Sequence, residues 1–97
     1  MANTLKADFG FDLLDPEGTV NETKVKDLIS SQLAYVKSDD IDPITAFEWT
    51  LQIKREGFLV FSSSAEYDKL VKFIKEKSEI VPYVKGFILT ELKKQNS

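Results

Sequence analysis

At 97 residues, with 42% hydrophobic and 30% charged residues, the chain has the composition of one globular domain built on one core. Neither two cores nor a disordered polymer fits those numbers. It contains no cysteine and no histidine, which excludes disulfides, thiolate or imidazole zinc sites, nucleophiles activated by a histidine base and histidine pH switches. Its 16 acidic and 13 basic residues leave a net charge of −3, and the only arginine is Arg55, a poor basis for gripping a phosphate backbone.

No apolar run approaches the roughly 18 residues of a membrane-spanning helix. Residues 1–6 lead to Asp8 without the apolar stretch of a signal peptide, so a soluble, cytoplasmic protein without a membrane contact is the expectation. Leu5 to Leu13 alternates apolar and polar residues with period two, the pattern of a half-buried strand. Asp15-Pro16-Glu17-Gly18 then reads as a turn that ends it.

A helix is predicted from Asn21, a good N-cap with Val20 and Val25 placed as a hydrophobic staple, and Thr19 with Glu22 forms a competing capping box. Val25, Leu28, Ile29, Leu33 and Val36 supply its apolar stripe, and Ser38 to Pro43 reads as the loop that follows Lys37. From Ile44 to Ser62 the pattern predicts a β-hairpin. Phe47, Trp49, Leu51 and Ile53 alternate with polar residues, Lys54-Arg55-Glu56-Gly57 forms the turn, and Phe58 to Phe61 is the return strand. A three-residue loop with a bulge puts Leu59 and Phe61 on the face of Leu51 and Ile53, with Phe58 and Val60 opposite, whereas a four-residue loop reverses the two faces.

Ser63 and Glu66 form a capping box for a second helix, with the stripe Tyr67, Leu70, Val71 and Ile74, ending near Ser78. Pro82 reads as a block to further helix, and Tyr83 to Leu92 as a fourth strand, with Val84, Ile88 and Leu92 on one side and Phe87 and Leu89 on the other. Residues 93–97 read as a frayed polar tail, which puts the ordered part of a single domain (residues 1–97) at about 4–93. The resulting order is the ferredoxin-like β-α-β-β-α-β two-layer sandwich: a four-stranded antiparallel sheet with the first and third strands central and two helices on one face. Phe9, Phe11, Ile29, Leu33, Trp49, Leu51, Phe61, Leu70 and Ile74 are its expected core.

Arg55-Glu56-Gly57-Phe58-Leu59-Val60-Phe61-Ser62 resembles the third-strand signature of RNA-recognition motif domains, which share this element order. The resemblance implies aromatic stacking platforms on an open sheet, with Phe9 or Phe11 as the first-strand partner. Glu56 inside the motif, one aromatic too few in the right parity, the short hairpin loop and the acidic balance all depart from the family, and favour an apolar central strand over nucleic-acid binding. Asp8 and Asp12 share a strand face, a placement similar to nucleotide cyclases and polymerase palms. The second carboxylate at the hairpin would have to be Glu56, flanked by Lys54 and Arg55, which repel a cation. Asp39, Asp40 and Asp42 lack the glycine and terminal glutamate of an EF-hand loop. Lys69, Lys72 and Lys75 are interspersed with Glu66, Asp68 and Glu76, as on an ordinary solvated helix face.

No convergent acid, base and nucleophile and no glycine-rich phosphate loop can be assembled from these residues, so no cofactor, metal or catalytic residue is expected. Lone tyrosine, lysine or aspartate chemistry is the remaining route to an enzyme, as in the cofactor-independent oxygenases of this architecture. The leading expectation is a non-catalytic interaction module that forms a homodimer through an open sheet face carrying Phe58, Val60, Phe87, Leu89 and Leu14. Its alternative is a small acidic inhibitor or accessory factor that docks on a basic site of a protein partner, as phage and host-conflict proteins do.

Overall fold

A computed structural model of the chain describes residues 5–96. Strand β1 (Leu5–Asp8) is followed by a long turn, helix α1 (Val25–Tyr35), helix α2 (Pro43–Glu56), strand β2 (Phe58–Phe61), helix α3 (Ser64–Lys72) and helix α4 (Pro82–Gln95). A π-helical turn (Phe73–Lys77) continues α3. The only sheet among the described residues is the antiparallel pair β1–β2, in the register Leu5↔Phe61, Lys6↔Val60, Ala7↔Leu59 and Asp8↔Phe58. The four-stranded ferredoxin-like sandwich is therefore not formed. The two strands lie in the segments read as first and third, while the segments read as second and fourth strands are the helices α2 and α4.

Both corrections have a local cause. Asp42 accepts the Thr45 amide at 3.0 Å and the Thr45 hydroxyl at 3.0 Å, Pro43 takes the first helical position, and Gly57 closes α2 in the left-handed conformation at φ 84°. N-cap aspartate, N1 proline and C′ glycine are a complete set of helix boundaries, and here they override an alternation that pointed to a strand. Within α2, Ala46, Trp49 and Ile53 face inward at helical spacing. In α4, Pro82 again opens the helix rather than blocking it. The spacing of Val84, Ile88 and Leu92 is four residues, a multiple of the strand period that is also one helical turn.

The remaining boundaries shift less. Asn21 does not cap α1: its side chain accepts the Thr23 amide and donates to Asp15, tying the turn, and the helix begins at Val25. Ser63 caps α3 by accepting the Ala65 amide, while Glu66 sits 4.0 Å from Lys69 instead of returning to the cap. The π-helical turn ends where the Ser78 amide donates to the Phe73 carbonyl and the buried Ser78 hydroxyl to that of Ile74. Lys85 reaches over from α4 to donate to the carbonyls of Lys75 and Ser78, which the end of the helix leaves without intrahelical partners.

One face of the sheet and the inner faces of the helices enclose the core: Ala7, Phe9, Leu59, Phe61, Ile29, Leu33, Ile53, Leu70, Phe73, Ile74, Ile88 and Leu92 are all buried. The buried Phe61 stands edge-on to Trp49 (5.5 Å) and to Tyr67 (5.8 Å). Of the expected core, Phe9, Ile29, Leu33, Phe61, Leu70 and Ile74 are buried, and Phe11 and Trp49 pack half-buried against them. Leu51 does not join: on a helix it falls away from Ala46, Trp49 and Ile53, and it is only half-buried.

Candidate functional site

The alternation within Phe58–Phe61 sends Leu59 and Phe61 inward and Phe58 and Val60 outward. The outer face of the sheet therefore consists of Lys6 and Asp8 on β1 and Phe58 and Val60 on β2. The Lys6 ammonium lies 3.6 Å from Asp8 and 5.1 Å from the centre of the Phe58 ring, so the polar half of the face leans over the aromatic. Val60 is 56% exposed.

The two edges of this sheet are treated differently. The Phe9 amide donates to the Gly57 carbonyl at 2.8 Å, which phases the ladder so that the backbone groups of Lys6 and Asp8 point away from β2. The last turn of α4 meets them. Asn96 accepts the Lys6 amide (2.9 Å) and donates to its carbonyl (2.8 Å), and Gln95 does the same for Asp8 at 2.8 Å each. Two side-chain amides thus stand in for a neighbouring strand, using residues in the segment read as a frayed tail. On β2 the outward groups are those of Phe58 and Val60, and among the described residues nothing hydrogen-bonds them. The strand carries no charge and no proline, the usual means of blunting an edge.

The other expected interface residues are not on this face, because their segment is helical. Phe87 packs against Phe11 (6.0 Å) and Tyr83 (6.4 Å), and with Leu14 it lines a shallow cleft beside α4. The Tyr83 hydroxyl donates to the Leu14 carbonyl at 2.7 Å and holds the long turn against the helix. Leu89 is half-buried on α4. The structure brings Phe58 and Val60 together, and Leu14 and Phe87 together, as two separate surfaces.

The aromatic platform implied by the RNA-recognition resemblance is not assembled. Phe9 and Phe61 are buried, Phe11 packs on Phe87, and Gly57 ends a helix instead of turning a hairpin. Of the acidic residues considered for metal binding, three are engaged in local structure: Asp8 accepts the Gly10 amide, Asp40 pairs with Lys72 at 3.4 Å, and Asp42 caps α2. Among the described residues no three carboxylates gather as a metal site, and no helix is long and apolar enough to cross a membrane.

One surface was missed by the sequence reading. Tyr35, Ile44 and Phe47 are 87%, 72% and 64% exposed. Tyr35 and Phe47 line an open cleft of about 660 Å³ between the end of α1 and the start of α2, together with Val36, Ile41, Asp39 and Asp42. The signal was present, because Ile44, Phe47 and Leu51 recur at helical spacing, but it was absorbed into the alternation read as a strand. Compared with protein-family models, with curated proteins and with solved structures, the chain has no match.

Proposed function

We propose that this chain is a non-catalytic protein-interaction module that self-associates through the outer side of its sheet. The observation that carries the reading is β2: its outward side chains are apolar, and its outward backbone groups have no partner among the described residues. Uncharged strand edges of this kind template the addition of another strand. A cytoplasmic setting belongs to the same proposal, in keeping with the cysteine-free sequence. Sedimentation velocity over a range of concentrations tests it. The wild type should shift from monomer to dimer, and Val60→Glu, whose carboxylate would face Lys6 and leave the fold intact, should remain monomeric. A wild type that stays monomeric at millimolar concentration would end the reading.

The exposed cleft between α1 and α2 supports a second reading, docking on a basic partner. Its largely apolar lining includes Asp39 and Asp42 against the single basic Lys37, and hydrogen bonds from the Thr45 amide and hydroxyl hold the Asp42 carboxyl below the ordinary aspartate range. Complexes of that kind weaken steeply with salt, whereas a strand-paired dimer with apolar side chains does not. Association that collapses in high salt and survives Val60→Glu would favour the cleft.

A further inference from the structure

We infer that two copies of the chain pair β2 to β2, antiparallel about Leu59, so that one sheet runs β1–β2–β2–β1 across a two-fold axis. This inference rests on the reading of the chain as a self-associating module and gives that association a register and an occupant. The ladder phase supplies the register. Only Phe58 and Val60 turn their backbone groups outward within β2, and an antiparallel pair centred on Leu59 sets Phe58 of one copy opposite Val60 of the other.

Each residue then donates its N–H to, and accepts at its C=O from, the other, so the outward groups of both residues are satisfied reciprocally. Shifting the register by two residues in either direction sets one of these residues opposite its own copy and leaves the other facing Glu56, the last residue of α2, or Ser62, beyond the end of β2.

The side chains agree with the same register. Phe58 and Val60 share the outer face, and cross-strand pairing of an aromatic with a β-branched residue is among the favourable pairs on a sheet surface. Because Phe58 meets Val60 twice by symmetry, the patch is self-complementary, as an isologous contact requires.

The second copy is favoured over an unrelated peptide because the outward groups of Phe58 and Val60 are matched by those of the same strand turned about Leu59. Gln95 and Asn96 close the edge of β1 against any incoming strand, so pairing can add a strand only at β2. A two-fold pair built this way has β1 at both ends, each closed by its own α4 amides, and cannot grow into a fibre. The contact is centred on a four-residue strand, at the small end of specific interfaces, and a dimer with a dissociation constant of about micromolar or weaker is expected.

The chain has no cysteine, so two introduced thiols report the pairing without background. Phe58→Cys and Val60→Cys are prepared separately, confirmed folded by circular dichroism, and oxidised alone and as a mixture. The facing Cα atoms would lie about 5.5 Å apart, within the roughly 4.4–6.8 Å that a disulfide spans. The mixture should form mixed disulfide at about tenfold or more the yield of either variant alone.

Efficient crosslinking of Phe58→Cys or Val60→Cys with itself would overturn the register. A wild type that sediments as a dimer while the folded mixture fails to crosslink would overturn strand pairing and leave self-association standing. A monomeric wild type would remove both.

Discussion

Truncating Phe61 to Ala removes a buried ring that meets both Trp49 and Tyr67, and by the usual cost of deleting a buried phenyl group it should destabilise the domain by about 3–5 kcal/mol. Leu51→Ala, on the half-buried flank of α2, should cost well under that, about 1 kcal/mol or less. Chemical denaturation of the two variants separates the assignments. Equal losses would place Leu51 in the core and undo the helical phase of α2. The alternation within β2 was legible in the sequence because Phe58 to Phe61 stays within one strand, but which pair faces inward was not, because it was assigned from the loop length of a hairpin turn that is in fact the end of helix α2. The position of Leu51 was not, because its side depends on whether the segment has period two or 3.6.

Asp27 is held below the ordinary aspartate range chiefly by the hydrogen bond from the Lys54 ammonium at 2.6 Å, which outweighs the opposing effect of desolvation, with smaller contributions from the positive charges of Lys54, Lys26 and Lys24. A carboxyl whose pKa is depressed on folding contributes stability that is present above the unfolded pKa and lost as the pH falls through the folded one. Asp27→Asn should therefore melt below the wild type at neutral pH, and the gap should close as the pH is taken from about 5 down to about 2. Both partners are largely exposed, so the gap should be small and should narrow in salt. No gap at neutral pH would mean that the pair contributes nothing in the folded state, and a gap that widened in acid would mean that folding raises the Asp27 pKa rather than lowering it.

The helices α2 and α4 carry two glycine tests of opposite sign. Gly86 lies inside α4, and a Cβ added there meets nothing within 4 Å. Gly86→Ala should raise stability by about 0.5–1 kcal/mol through helix propensity and the unfolded-chain entropy it removes. Gly57 sits at φ 84° at the end of α2, and Gly57→Ala should cost about 1–2 kcal/mol because that conformation strains an L side chain. Thermal melts would read both, and a loss of stability in Gly86→Ala would argue against a helix over residues 82–95. What the sequence hid at this scale is an ambiguity of spacing. Apolar residues four apart satisfy both periods, and the deciding signals were the caps: Asp42-Pro43 and Gly57 for α2, and Pro82 for α4. Helix α1 was legible because its stripe at three- and four-residue intervals has no strand-like reading.

At the scale of the whole molecule, a two-stranded sheet is marginal alone and depends on what packs against it. Here α4 does so at two places. Ile88 and Leu92 enter the core, and Gln95 and Asn96 complete the edge of β1. The opposite edge is left to β2, and that asymmetry was invisible in the sequence, because it depends on bringing residues about ninety positions apart into contact. The expectation that the outer sheet face is the contact surface keeps Phe58 and Val60, which the strand β2 turns outward, and loses Phe87 and Leu89 from that face, because their segment is a helix. Leu14 lies with Phe87 in the cleft beside α4.

Amide hydrogen exchange by NMR, followed at low and high protein concentration, examines both edges in one sample. The amides of Lys6 and Asp8, bonded by Asn96 and Gln95 within the monomer, should be protected equally at every concentration. Those of Phe58 and Val60 should exchange freely when dilute and become protected as the protein is concentrated. Exchange at Phe58 and Val60 that stays fast at all concentrations, or protection already complete in the dilute monomer, would contradict the open edge and the pairing built on it.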